Sequence, residues 1–164
     1  MRRSLTALIL ALALAALALP AAAAKPDRVP VVIPGNFLAF EAGTACEFPV
    51  HIEILVNREY VKTWFDEDGN PVRAQTNGSL RIRVFNDLTD ESVDLNVGGP
   101  GRNLYVGDGT DVQRFLGPGM PIFEGVFYLT TGRHAFVVNE VDFSLIEVGD
   151  AHGQINDVCA TLAA

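Results

Sequence analysis

The segment Leu80-Arg81-Ile82-Arg83-Val84-Phe85-Asn86-Asp87-Leu88-Thr89-Asp90-Glu91-Ser92-Val93-Asp94-Leu95-Asn96-Val97 reads as a β-hairpin along its whole length. Leu80, Ile82 and Val84 alternate with Arg81 and Arg83, and Val93, Leu95 and Val97 alternate with Ser92, Asp94 and Asn96. That period of two marks strands with one buried face. A four-residue turn at Asp87–Asp90 sets Ile82 opposite Leu95 and Val84 opposite Val93. The same register places Arg83 across from Asp94, so the polar face agrees with the apolar one.

Working outward, the same pattern recurs on both sides. Val50, Ile52, Ile54 and Val56 alternate with His51, Glu53, Leu55 and Asn57, and Cys46 and Phe48 share the apolar parity. Tyr60–Phe65 and Pro71–Thr76 flank Asp66-Glu67-Asp68-Gly69-Asn70, where Asp68-Gly69 has the positive-φ chemistry of a tight hairpin turn. That register sets Phe65 opposite Val72 and Trp64 opposite Arg73. After a Gly98–Gly101 loop, short strands are expected at Asn103–Val106 and Val112–Leu116, joined at Asp108-Gly109. Ile122–Thr130, apolar on both parities, suits a central strand. Thr131-Gly132 is expected to turn it into Arg133–Asn139, bringing Phe127 opposite Phe136 and Val126 opposite Val137. Phe143–Val148 follows as a strand, Gly149–Asn156 as a loop, and Asp157–Leu162 closes the chain. The pattern predicts an antiparallel β-sandwich or β-barrel of about 8–10 short strands.

Residues 1–24 have the layout of a secretory signal peptide: Arg2 and Arg3, an apolar run from Leu5 to Leu19, Pro20, then Ala22-Ala23-Ala24. The run is shorter than the roughly 20 residues that span a membrane, so no membrane span is expected after cleavage. A secreted location follows as the expectation. Residues 25–45 read as an extended lead-in and 46–164 as a single β domain. Without Arg2 and Arg3, ten Lys and Arg stand against 20 Asp and Glu, a net charge of −10. Such a balance repels nucleic acid and anionic membranes and argues against both as partners. Cys46 and Cys159 are the only cysteines, and in an exported chain they are expected to form one disulfide spanning nearly the whole domain.

Candidate chemistry is sparse. Asp66–Asn70 resembles the start of a calcium loop, but Pro71 stands where that loop needs Gly and Asn77 where it needs Glu, so it reads as an acidic turn. His51 and Glu53 share one strand face and could supply two metal ligands; a third would have to come from His134 or His152. On the expected hairpin register His134 faces Leu129 and sits at a rim. Ser79 and Ser144 lie in no nucleophile elbow, and the Gly-rich stretches precede no helix. Asn77-Gly78-Ser79 fits a glycosylation acceptor as well as a turn. No catalytic residue, metal or cofactor is indicated.

The hairpin over residues 60–76 offers the one candidate ligand-contact face. Its register groups Tyr60, Lys62 and Trp64 with Arg73 and Gln75, and puts Val61, Thr63, Phe65, Val72 and Ala74 on the other side. If the second side is core, Tyr60, Trp64 and Arg73 form a surface able to stack on a sugar or seat a partner's side chain. The opposing expectation, favoured for a lone Trp, is that a loop or a barrel interior covers Trp64.

Thr44-Ala45-Cys46-Glu47-Phe48-Pro49-Val50, Phe65-Asp66-Glu67-Asp68-Gly69-Asn70-Pro71 and Asp157-Val158-Cys159-Ala160, together with the leader, resemble a group of secreted β proteins of high-GC Gram-positive bacteria that carries no assigned activity. The resemblance implies export and the Cys46–Cys159 bridge, and implies nothing about substrate. Three functional classes follow from the residues: a non-catalytic binding or interaction module for a protein or carbohydrate; a β-barrel carrier of a small apolar ligand, with Phe127, Tyr128 and Phe136 lining its cavity; and a carbohydrate-active or metal-dependent enzyme. The first is the leading expectation.

Overall fold

A computed structural model of the chain describes residue 26, residues 28–142 and residues 144–164. The leader expected over residues 1–24 lies outside the described residues. In chain order the strands are β1 (Arg28–Pro30), β2 (Phe37–Phe40), β3 (Val50–Asn57), β4 (Tyr60–Phe65), β5 (Pro71–Asn77), β6 (Leu80–Asn86), β7 (Ser92–Asn96), β8 (Gly101–Tyr105), β9 (Thr110–Leu116), β10 (Ile122–Phe123), β11 (Val126–Asn139) and β12 (Leu145–Asp157). A short helix, α1 (Val158–Leu162), follows. A small sheet runs β2-β3-β6-β7, and a large one runs β1-β4-β5-β8-β9-β11-β10 with β12 on the other flank of β11. The antiparallel sheets pack together as a sandwich and do not close into a barrel.

The β6–β7 hairpin has the register its alternation requires, with Ile82↔Leu95, Arg83↔Asp94 and Val84↔Val93. Its apolar face joins that of β3, and Val50, Ile52, Ile82 and Val84 are at most 1% exposed. Phe127 of β11, Val158 and Leu162 of α1 and the Cys46–Cys159 disulfide complete this first core. Burying each large aliphatic or aromatic side chain there contributes about 1.5–3 kcal/mol. Asp157 caps α1 by accepting the Ala160 N–H at 2.9 Å, and Asn86 of β6 donates its side-chain amide to the Leu162 carbonyl at 3.1 Å. Helix α1 is thereby tied covalently to the β2–β3 connection and by a buried hydrogen bond to β6.

Residues of the lead-in enter both sheets: β1 pairs with β4 (Arg28↔Lys62) and β2 with β3 (Phe40↔Val50). In the β4–β5 hairpin Trp64 faces Arg73 as expected, but Phe65 faces Pro71 and not Val72. The turn chemistry explains the slip. Asp66 accepts the N–H groups of Asp68 and Asn70, and its own N–H bonds the Asn70 carbonyl at 2.9 Å. The turn therefore closes on Asp66 and Asn70, and Pro71, with no N–H for the ladder, leaves one extra residue as a bulge.

The larger correction concerns the C-terminal third. Thr131-Gly132 is not a turn. Strand β11 runs unbroken for 14 residues, so Phe127 does not face Phe136 nor Val126 face Val137; β11 pairs instead with β12, which occupies the stretch expected to be a loop at Gly149–Asn156. Gly132 lies opposite Gly153, both at positive φ (92° and 134°). A Cβ on Gly132 would fall 2.2 Å from the His152 carbonyl oxygen, and one on Gly153 would fall 1.9 Å from that of Thr131. These glycines permit a close, kinked crossing of two strands, the other conformational use to which glycine is put. On one side of the kink Phe127 and Leu129 serve the first core. On the other, His134, Phe136 and Val138 are buried, and Phe136 and Val138 form a second core with Phe123, Phe115, Tyr128 and Leu145.

Candidate functional site

Strand registers across the large sheet assemble a surface that no single hairpin contains. The chain of partners Arg28↔Lys62↔Gln75↔Arg102↔Arg114 crosses β1, β4, β5, β8 and β9. At about 4.8 Å per strand step this row is about 19 Å long. The adjacent row is Trp64↔Arg73↔Leu104↔Val112↔Val137. Arg133 lies beyond, opposite Leu116 on β9 and His152 on β12. Six of the ten cations that follow residue 24 thus share one face of a strongly acidic chain. The opposite face of the same strands carries Ala74, Asp111, His134, Phe136 and Val138, all buried.

Two of the arginines are held flat on aromatic rings. The Arg73 guanidinium lies 3.8 Å from the Trp64 ring centroid and that of Arg28 lies 3.5 Å from Tyr60. Cation–π contacts of this kind contribute about 0.5–1 kcal/mol at exposed sites and fix the planar fork in one orientation. Tyr60, Trp64 and Arg73 therefore do share a face, half-buried, and Trp64 is covered on one ring face by Arg73 and not by a loop or barrel interior. Among the described residues, the one ion pair made by the six cations is Arg133 with Asp150 at 3.6 Å, between exposed side chains. Between Arg102, Arg114, Arg133 and the edge at Gly149-Asp150 lies a hollow of about 500 Å³ floored by Val112, Leu116 and Val137.

Two cross-strand pairs on this face oppose folding. Arg102 stands directly opposite Arg114, and Arg28 directly opposite Lys62. Like charges directly opposite across strands destabilise a sheet by a few tenths of a kcal/mol to about 1 kcal/mol each. On the small sheet the usual arrangement holds: Arg83 bonds both carboxylate oxygens of Asp94, at 2.5 and 3.0 Å, which raises the arginine pKa and lowers that of the aspartate.

Comparisons with protein-family models, with curated proteins and with solved structures find no match to this chain.

The remaining candidates are dispersed. His51 bonds Asp87 through Nδ1 and is stacked between Phe85, at 4.4 Å, and Phe37, at 5.2 Å. Glu53 lies in the next row, opposite Arg83. His134 is not at a rim facing Leu129: it lies opposite Phe115 and Ala151, is 1% exposed, and donates Nε2–H to the Thr131 carbonyl at 2.9 Å. Its misplacement follows directly from the turn that does not form. His152 is on β12. Among the described residues no three His, Cys, Asp or Glu side chains gather as a metal site. At Asp66 the turn's own N–H donors occupy the carboxylate and hold its pKa below the ordinary aspartate value. Phe127 and Phe136 lie in separate cores, so with Tyr128 they do not line one chamber.

Arg102, Arg114, Arg133 and Arg28 escaped the sequence reading. Their parity along each strand was available, since Arg102 alternates with Asn103 and Arg114 with Phe115. The pairing of β5 with β8 and of β9 with β11 was not, because those contacts cross gaps that no turn signal bridges.

Proposed function

We propose that this protein is a secreted, non-catalytic binding module whose large-sheet face recognises an acidic glycan. One observation carries the reading: two like-charged cross-strand pairs, Arg102–Arg114 and Arg28–Lys62, are kept together on a face without carboxylate neutralisation in the row. A bound polyanion would supply the missing counter-charge. Arginine forks suit carboxylate and sulfate groups, and the two pinned on aromatic rings lose less freedom on binding than mobile ones. The apolar-floored hollow beside Arg102, Arg114 and Arg133 is of a size to seat one sugar ring with its acid group against the guanidiniums. The acidic remainder of the surface repels a polyanion approaching from other directions and orients it onto this face. Secretion is part of the proposal, supported by the leader-like N-terminus and by a disulfide of the kind that persists in oxidising compartments.

Trp64, the only Trp, provides the readout. Titration of the mature chain with alginate, a polyuronate, is expected to change Trp64 emission by shifting Arg73 on its ring. The response weakens as salt rises from about 0.15 to 1 M, where the Debye length falls from about 8 to 3 Å. A neutral glucan gives no response, and the Arg102→Ala/Arg114→Ala variant loses most of the alginate response. Equal binding of alginate and neutral glucan, or indifference to that double substitution, refutes the acidic-glycan reading.

A further inference from the structure

A further cleft lies at the seam between the two cores. It has a volume of about 210 Å³ and is walled by Leu80, Val97 and Met120 of the first core and by Phe115 of the second. Close backbone contacts fix these walls. A Cβ on Gly99 would fall 2.2 Å from the Pro118 carbonyl oxygen, and one on Gly119 would fall 2.1 Å from the Phe115 ring. Gly119 also exchanges backbone hydrogen bonds with Thr130, at 3.1 and 2.9 Å, which holds the Met120 segment against β11. Glu59, half-buried just before β4, borders this apolar space. Among the described residues its carboxylate makes no ion pair and accepts no hydrogen bond, and burial alone pushes its pKa above the ordinary glutamate value.

We infer that this cleft binds a small organic ammonium ion, its apolar body against Phe115 and Met120 and its N–H groups on the Glu59 carboxylate. Charge and size together choose that ligand. A carboxylate set into an apolar wall without a partner carries a desolvation cost, which a cation with hydrogen-bond donors offsets. A hard metal ion takes six or more oxygen ligands, and among the described residues no three His, Cys, Asp or Glu side chains gather to begin such a set. An ammonium ion needs one carboxylate, and its hydrocarbon part gains from the apolar walls. The volume lies below the roughly 300–1,000 Å³ of drug-sized sites, so one ring or a short chain fits. Arg114 also borders the cleft, but it stands in the cation row of the outer face, opposite Arg102, and does not lower the Glu59 pKa. The proposal goes beyond the glycan reading and does not depend on it.

Met120 is the only methionine after Met1, so its methyl group gives the cleft a single NMR signal. Benzylammonium added to the mature, disulfide-intact chain, isotope-labelled at the methionine methyl, is expected to shift that signal with a Kd of about 1 mM. Benzyl alcohol has the same shape without the charge, and methylammonium has the charge without the ring. Each is expected to bind at least about tenfold more weakly. Glu59→Gln keeps the size of the side chain and abolishes the preference for benzylammonium over benzyl alcohol, whereas Glu59→Asp, which keeps the charge, retains it. Thermal melts of both variants check that folding is retained. A Met120 signal unmoved by about 20 mM benzylammonium overturns the proposal. An equal response to benzyl alcohol overturns it too, leaving an apolar crevice, and an equal response to methylammonium leaves only a surface counter-ion. Benzylammonium binding indifferent to Glu59→Gln is equally fatal.

Discussion

Removing the Cys46–Cys159 bridge tests how this small β domain is held together. The bridge joins positions 113 apart in sequence, with Cα atoms 5.5 Å apart, and both sulfurs lie in the first core. On the chain-entropy model, a crosslink closing a loop of that length restricts the unfolded chain by about 16 cal/mol/K, or about 5 kcal/mol at 25 °C. Domains of this class are stable by about 5–15 kcal/mol, so the loss is a third of the total or more. For the Cys46→Ala/Cys159→Ala variant, a urea slope near 2 kcal/mol/M converts this to a midpoint lowered by about 2.5 M. In thermal melts the same loss lowers Tm by about 15–20 °C. Chemical unfolding followed by far-ultraviolet circular dichroism, with reduced wild-type chain run in parallel, separates the crosslink from the packing of the sulfur atoms. A midpoint shift under about 0.5 M at unchanged slope would falsify the loop-closure account. The bridge would then act by local packing around α1 alone.

Other expectations are as direct. Asp111 is 3% exposed, one carboxylate oxygen has no hydrogen-bond partner, and desolvation, with Glu140 nearby, raises its pKa. A native pKa above the unfolded one means that its ionisation opposes folding once pH exceeds the unfolded value of about 3.9. Asp111→Asn should therefore raise Tm at pH 7, and the gain should disappear as pH falls below that value; a pH-independent gain refutes the assignment. Gly153→Ala puts a methyl 1.9 Å from the Thr131 carbonyl oxygen at a positive φ, and should cost at least ~2 kcal/mol in urea unfolding, whereas Gly107→Ala, with open space around it, should cost less. Phe127→Ala empties the centre of the first core and is expected to cost about 3–5 kcal/mol in the same assay. Trp64→Phe should retain alginate binding better than Trp64→Ala, as measured by calorimetry, because a ring remains beneath Arg73.

What the amino-acid sequence disclosed depended on how local the deciding contact was. The β6–β7 register was readable because apolar parity, the Arg83–Asp94 pair and a polar turn lie within 18 residues and agree. The Cys46–Cys159 pairing was readable by arithmetic, since two cysteines allow one intramolecular bond. The β11–β12 ribbon was misread because Gly132 carries the same letter whether it makes a turn or lets two strands cross closely, and only its partner Gly153 decides between them. That error displaced His134 from a buried position to a rim. For the candidate face, Tyr60, Lys62, Trp64 and Arg73 were grouped correctly because they belong to one hairpin. Their continuation through Arg102 and Arg114 depends on sheet order, which parity does not encode.

The two-sided use of β11 has a consequence for how the molecule comes apart. Phe127 and Leu129 of its first half serve one core, Tyr128 with Phe136 and Val138 of its second half serve the other, and the backbone joining them is a single uninterrupted strand. Neither core can be lost without freeing the strand that closes its neighbour. The two sheets are thereby made into one cooperative unit, and injury near the disulfide should register in the amides behind Arg114 and Arg133 as readily as in those beside Cys159.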